Sequence, residues 1–319
     1  MACGMPWIQG SGAHYRRTFM PDMLKNRVAV ITGAGNGLGR AYALGMAAQG
    51  AKIVVNDLGT SADGVGVSSD AADETVKMIK KNGGTAYANY DSVATQDGAK
   101  KIIKTAIDKF GRIDILVNNA GIIKGNFIYE LRVEDWDAMI KTHLYGTFYC
   151  TREAAPIMKE QKYGRIICIS SHNGLGLKGG AAYSAAKEGI TGFGRAVARD
   201  MAEFGVTCNI IRPIAAWRGA PVKIQEFEDN RVEDVAVLIV YLVSEAADHI
   251  NGQIFEVYNG HVGIFEEPPP VKQILWKNGS FTTEELAEII PQTLTKGKSR
   301  NAFPNVLPFV LTPPPKGKK

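Results

Sequence analysis

The chain has 319 residues, 45% hydrophobic and 22% charged; this ordinary globular usage excludes a disordered chain, 35 glycines without a Gly-X-Y period exclude collagen, and no apolar run is long enough to span a membrane. The formal net charge of +5 divides unevenly: residues 296–319 carry six basic residues and no acid, residues 1–27 a net +3, and the body between them a net −4. A slightly acidic body argues against nucleic-acid binding, and the basic tail reads as a solvated segment rather than a site for an anionic partner.

Residues 1–24 show no periodicity and read as an N-terminal extension without the continuous apolar stretch of a secretory signal. From residue 25 to 263, short apolar runs alternate with longer amphipathic stretches. The runs at 28–31, 53–55, 86–88, 113–117, 165–169, 206–211 and 254–257 are β-branched and apolar throughout, as strands covered on both faces are. Between them the spacing predicts helices over 39–49, 71–81, 99–110, 134–159, 181–204 and 232–243. Strand and helix in alternation with short links imply right-handed crossovers, and so an α/β fold with a single doubly wound parallel sheet of Rossmann type. Residues 264–319 form a Pro-rich, basic C-terminal extension. It holds one short helix, capped by Thr282 or Thr283 with Glu284 and Glu285 in its first turn, and ending near Pro291. The four cysteines, Cys3, Cys150, Cys168 and Cys208, stand apart with no Cys-x-x-Cys pair. Neither a disulfide framework nor a metal site is expected, and a reducing cytoplasm suits them.

Thr32-Gly33-Ala34-Gly35-Asn36-Gly37-Leu38-Gly39 follows the first strand and opens the first helix. Glycines permit the tight turn and let the backbone approach a pyrophosphate, while the helix N-terminus supplies unpaired N–H groups and positive dipole. Asp57 ends the second strand, where a carboxylate can accept hydrogen bonds from the adenosine ribose and repel a 2′-phosphate. Neither Asn36 nor Leu58 is basic, so NAD is expected rather than NADP. Tyr183 and Lys187, four residues apart on one predicted helix, share a face. An ammonium near a phenol favours the phenolate, so the pair makes a general acid/base whose proton moves to or from a substrate oxygen. Ser170 or Ser171, at the end of the fifth strand, supplies a hydroxyl to hold that oxygen.

These motifs, with Asn118-Asn119-Ala120-Gly121, Pro213 and Gly252-Gln253, stand in the order and spacing of the classical short-chain dehydrogenases/reductases, which the chain resembles over residues 22–263. Within that family, Gly37-Leu38-Gly39-Arg40-Ala41-Tyr42-Ala43-Leu44, Val54-Val55-Asn56-Asp57-Leu58-Gly59, Ala88-Asn89-Tyr90-Asp91-Ser92-Val93 and Lys162-Tyr163-Gly164-Arg165-Ile166-Ile167 are similar to the dehydrogenase part of the multifunctional-enzyme type 2 group, which oxidises (3R)-hydroxyacyl-CoA thioesters and hydroxysteroids. The resemblance implies that Gly33, Asn36, Gly37, Leu38 and Gly39 face the dinucleotide and that Asp91 and Ser92 border its adenine. It places Asn119, Ala120, Gly121 and Pro213 along the cofactor, and has Lys187 hold the nicotinamide ribose and tune Tyr183. It also implies a homodimer or homotetramer.

His143 stands where the family usually carries a catalytic asparagine; it either replaces that residue in holding a proton-relay water or is a packed histidine. The family spacing to the tyrosine selects Ser170, but the glycine three residues after Ser171 and the strand alignment select Ser171, which is taken as the catalytic serine. His172 is expected on the surface. The stretch 214–234 makes a short lid that suits a bulky substrate, with Trp217 and Arg218 as candidate substrate contacts. The reading is an NAD-dependent dehydrogenase of a bulky secondary alcohol, first a (3R)-hydroxyacyl-CoA and second a hydroxysteroid. A non-catalytic nucleotide-binding scaffold is disfavoured because Tyr183 and Lys187 are both present.

Overall fold

Strand β1 (Val28–Thr32) is buried along its whole length, and alternate residues feed opposite cores. Ala29 and Ile31 pack with Tyr42, Met46 and Ile239 on one face of the sheet. Val28 and Val30 pack with Ile102, Met158 and Ile190 on the other. This period-two division explains why the strand sequences are apolar throughout rather than alternating. In the computed structural model, residues 22–214, 232–258, 261–266, 271 and 273–296 are described. Trp217, Arg218 and the tail beyond Lys296 lie outside the described residues.

The elements follow in chain order. After β1 come α1 (Gly37–Ala48), β2 (Lys52–Asn56), α2 (Asp70–Lys81), β3 (Thr85–Asn89), α3 (Gln96–Phe110) and β4 (Ile115–Asn118). Then follow α4 (Val133–Ile140), α5 (Gly146–Gln161), β5 (Gly164–Ile169), α6 (Ala181–Met201), β6 (Val206–Pro213), α7 (Val232–Leu242), β7 (Ile254–Tyr258), β8 (His261–Ile264) and α8 (Thr283–Gln292). They build one eight-stranded sheet in the order β3-β2-β1-β4-β5-β6-β7-β8. Every pairing from β3 to β7 is parallel. The chain reverses its direction of progress across the sheet between β1 and β4, which opens a crevice at the carboxyl ends of the strands. No helix among the described residues is long and apolar enough to cross a membrane.

Four expectations change. Strand β8 pairs antiparallel with β7, so a boundary at residue 263 cuts through the sheet's last strand. Leu24 is fully buried in the core, so the domain begins before residue 25. The helix expected over 134–159 is interrupted by a π-helical turn at Lys141–Tyr145 that separates α4 from α5. Such a turn inserts a residue into the helical ladder and re-aims the side chains on either side. In this chain it carries His143, and the Thr147 hydroxyl donates to the His143 carbonyl at 2.7 Å. His172 is not a surface residue; it is half-buried and bonded to Glu256 on β7. Helix α8 follows the sequence closely: Thr282 and Glu285 close a reciprocal capping box.

Candidate active site

The glycine loop between β1 and α1 is fixed at Gly33, Gly35 and Gly39 by contacts that leave no room for side chains. Gly33 has φ +65°, and a Cβ there would lie 2.8 Å from the Ala120 Cα; a Cβ on Gly39 would collide with the Gly33 carbonyl. Asn119 locks the loop from β4, its side-chain amide donating to the carbonyls of Thr32 at 2.9 Å and Gly33 at 3.1 Å. The Thr32 hydroxyl accepts from the amides of Asn119 and Ala120 at 3.0 and 3.1 Å. The Asn119 side chain is therefore occupied with shaping the loop.

Helix α1 begins without a side-chain cap from Asn36 and without an acid in its first turn. Around Gly37, at φ +52°, an added Cβ would meet nothing within 4 Å. An uncapped first turn facing open space is what a phosphate needs from a helix N-terminus, so the residues present fit a dinucleotide.

The Asp57 carboxylate accepts from the Gly35 amide and the Gly59 amide, each at 2.8 Å. It is held rigidly beside the glycine loop. Arg40 donates to the Gly35 carbonyl at 2.8 Å and pairs with Glu74 at 3.0 Å, so its charge is committed to α2. The neighbouring rim is organised by two buried asparagines to which the sequence reading gave no role of their own. Asn56 donates to the Asn89 side chain at 2.9 Å and to the Asp91 carbonyl at 2.8 Å, and Asn89 donates to the Asp91 carboxylate at 2.9 Å. The signal was available: both are polar residues at the carboxyl ends of their strands. The Ser92 hydroxyl accepts from the Ala94 amide at 3.2 Å.

The two serines after β5 face different partners. Ser170 donates to the Lys187 carbonyl at 2.8 Å and meets the Thr191 hydroxyl at 3.0 Å; its hydroxyl is absorbed by α6. Ser171 has extended backbone, accepts from the Asn173 amide at 3.2 Å, and stands near enough to the Tyr183 phenol to favour its ionised form. The structure thus brings together Ser171, Tyr183 and Lys187. The Lys187 ammonium lies 5.5 Å from the Tyr183 ring centroid and donates to the Ile169 carbonyl at 2.8 Å.

The electrostatics correct one expectation. Burial is the largest influence on Tyr183 and pushes its phenol up; the Ser171 hydroxyl opposes it. Lys187 is not among the influences on the phenol, and burial pulls its own ammonium down to about 7.

His143 is 3% exposed, and its Nε2 lies 2.7 Å from the Ile122 carbonyl and 3.2 Å from the Ile122 amide. Its ring stands edge-on to Tyr183 at 5.5 Å, and Nδ1 is buried with no partner among the described residues. Burial pulls its pKa down to about 3, so the ring is neutral. A Cβ on Gly121 would lie 2.5 Å from the His143 Cε1, so glycine at 121 makes room for the imidazole. Pro213 ends β6 on the same rim.

The turn that carries Ser171 is tied on two sides. His172 Nδ1 bonds Glu256 at 2.7 Å, and the Ser184 hydroxyl donates to the Asn173 carbonyl at 2.8 Å. Arg212, in register with Glu256, pairs with Glu188 at 2.7 Å. No local motif marks these residues, which lie far apart in sequence.

The profile of the short chain dehydrogenase family matches residues 27–216. Peroxisomal multifunctional enzyme type 2 of Mus musculus is 45% identical over 246 residues, which cover 76% of this chain and 33% of that enzyme; the chain thus spans about a third of this relative's length. The hydroxyacyl-CoA dehydrogenase ChsB1 of Mycobacterium tuberculosis is 36% identical, covering 85% of this chain and 89% of its own. A crystal structure of a short chain dehydrogenase from Mycobacterium avium superposes with a TM-score of 0.76 at 38% identity, over 88% of this chain and 98% of that one. The fold, the glycine loop and these similarities agree: the chain belongs to the short-chain dehydrogenase family.

Proposed function

We propose that the protein is an NAD-dependent oxidoreductase that interconverts a (3R)-hydroxyacyl-CoA and its 3-keto thioester. The observation that carries the reading is the convergence of Ser171, at the carboxyl end of β5, with Tyr183 and Lys187 on α6, the Lys187 ammonium 5.5 Å from the Tyr183 ring centroid, on the rim shared with the glycine loop. Gly33, Asn36, Gly37, Leu38 and Gly39 would hold the dinucleotide's phosphates and Asp57 its adenosine ribose. Asp91 and Ser92 would border the adenine, and Asn119, Ala120, Gly121, Pro213, Tyr183 and Lys187 the nicotinamide half. When bound, the dinucleotide supplies the hydride acceptor. Tyr183 takes the proton of the substrate hydroxyl, Ser171 holds the oxygen as it becomes a carbonyl, and Lys187 holds the nicotinamide ribose. His143, neutral and bonded to the Ile122 backbone, positions the Tyr183 ring.

Asp57 supports NAD over NADP. Its carboxylate is pinned by two amides, and a 2′-phosphate beside it would meet a like charge while Arg40 is engaged by Glu74. The substrate class draws support from the hydroxyacyl-CoA dehydrogenase relative, which matches most of both chains. The three described cysteines are buried free thiols, which fits a reducing cytoplasm. The exposed Tyr145, at the end of the π-helical turn, and Phe148, in the first turn of α5, support a homodimer or homotetramer, measurable by light scattering.

The test is NADH formation with a panel of (3R)- and (3S)-hydroxyacyl-CoAs and hydroxysteroids. Turnover confined to the (3R)-thioesters is expected. Turnover of steroids alone would replace the substrate class, and NADH binding without turnover of any alcohol would favour a scaffold.

A further inference from the structure

The segment between β4 and α4 presents a closed turn beside the candidate site. The Glu130 amide donates to the Phe127 carbonyl at 2.9 Å, and the Phe127 amide donates to the Asn126 side chain at 2.9 Å. The rings of Phe127 and Tyr129 stack, with centroids 5.6 Å apart and planes within 10° of parallel. Tyr129 is nonetheless 77% exposed and Ile128 71%. Both ends of the segment are anchored, since Ile122 and Leu131 pack in a small cluster with Met139, Ala182 and Tyr183 itself. A parallel bridge joins Asn126 to Gly180, the residue that caps α6 one turn before Tyr183. Lys178 comes from the facing loop after β5, its ammonium 5.8 Å from the Phe127 ring centroid. Among the described residues it has no carboxylate partner, whereas Lys124 is paired with Asp135 and Arg132 with Glu134.

A stacked aromatic pair left open to solvent, with an uncommitted cation next to it, has the chemistry to take a planar base carrying phosphates. It lies at the carboxyl ends of β4 and β5, on the same rim as Ser171 and Tyr183. We infer that Tyr129 and Lys178, on the platform of Phe127, form a subsite for the phosphorylated adenosine end of a CoA thioester. The acyl end of that thioester would reach Ser171 and Tyr183. This rests on the hydroxyacyl-CoA reading above.

The experiment compares a (3R)-hydroxyacyl-CoA with the same acyl group on N-acetylcysteamine, which lacks the nucleotide. The readout is the ratio of the two kcat/KM values in the wild type, Tyr129→Ala, Lys178→Ala and Tyr129→Phe. The wild type should favour the CoA ester, and the ratio should fall about tenfold in each alanine variant, equivalent to about 1.4 kcal/mol. It should be retained in Tyr129→Phe, which keeps the stacking face. Calorimetric titration with free CoA should show the same order of affinities. A wild type that favours CoA, with ratios unmoved in both alanine variants, would overturn the subsite and leave the function intact. A wild type that does not distinguish the two esters overturns the nucleotide subsite. One that turns over neither overturns the hydroxyacyl reading itself, and the subsite with it.

Discussion

His143 occupies a position where burial and charge conflict, and the fold resolves the conflict by keeping the ring neutral. Its pKa is drawn down to about 3 from 6.5. Between those values the unfolded chain binds a proton that the folded one refuses. The stabilising contribution of the neutral ring is complete above pH 6.5 and lost as pH falls toward 3. Within that window the slope from this group approaches about 1.4 kcal/mol per pH unit. His143→Asn is expected to flatten the acid limb of stability measured by denaturant titration; an unchanged slope would mean that His143 is not the titrating group. The serine pair gives a second test. Ser171→Ala removes the hydroxyl that faces Tyr183 and is expected to lower kcat about 100-fold, the scale for losing one hydrogen-bond donor to a reacting oxygen. Ser170→Ala removes a bond to the Lys187 carbonyl, so the expected loss is about 1 kcal/mol of stability with kcat within a few-fold. The reverse pattern in steady-state kinetics would exchange the two roles.

The turn His172–Leu175 shows how one element holds a reacting group. It is fastened to β7 through Glu256 and to α6 through Ser184. His172→Ala cuts the first tie, so Ser171 is expected to lose alignment and kcat to fall about tenfold, with KM changing less. Restoration of kcat in His172→Gln would identify the hydrogen bond as the cause; equal loss in both variants would assign it to packing. The same element marks the limit of what the sequence reveals. Strands β1, β4, β5 and β6 and the glycine loop were legible because their signals are local: apolar runs, then glycines at a strand-helix junction. The His172–Glu256 bond joins residues 84 apart in sequence, and no spacing rule reports it. The π-turn was hidden for the same reason. Its histidine reaches back to the Ile122 backbone, and apolar periodicity across 134–159 carries no trace of that contact. Strand β8 is short and exposed throughout, so it lacks the apolar signature that identified the others.

At the scale of the whole molecule, the reversal of strand order beside β1 puts the uncapped start of α1, Asp57 and the Ser171–Tyr183 pair along one edge of the sheet. A ligand bound along that edge bridges elements from both halves and should stabilise the fold as a unit. NADH at about 100 times its Kd is expected to add about 2.7 kcal/mol, raising Tm by roughly 5–10 °C. NADPH at the same concentration should give a markedly smaller rise because of Asp57; equal shifts would refute the assigned cofactor preference. The most direct measurement is NADH formation from a (3R)-hydroxyacyl-CoA by the wild type and Tyr183→Phe, with NADH binding followed by fluorescence in both. The expected result is binding within a few-fold of wild type and a kcat lower by about 100-fold or more, since the phenol oxygen alone carries the proton. Turnover by Tyr183→Phe within tenfold of wild type would contradict the assignment of Tyr183 as the acid/base.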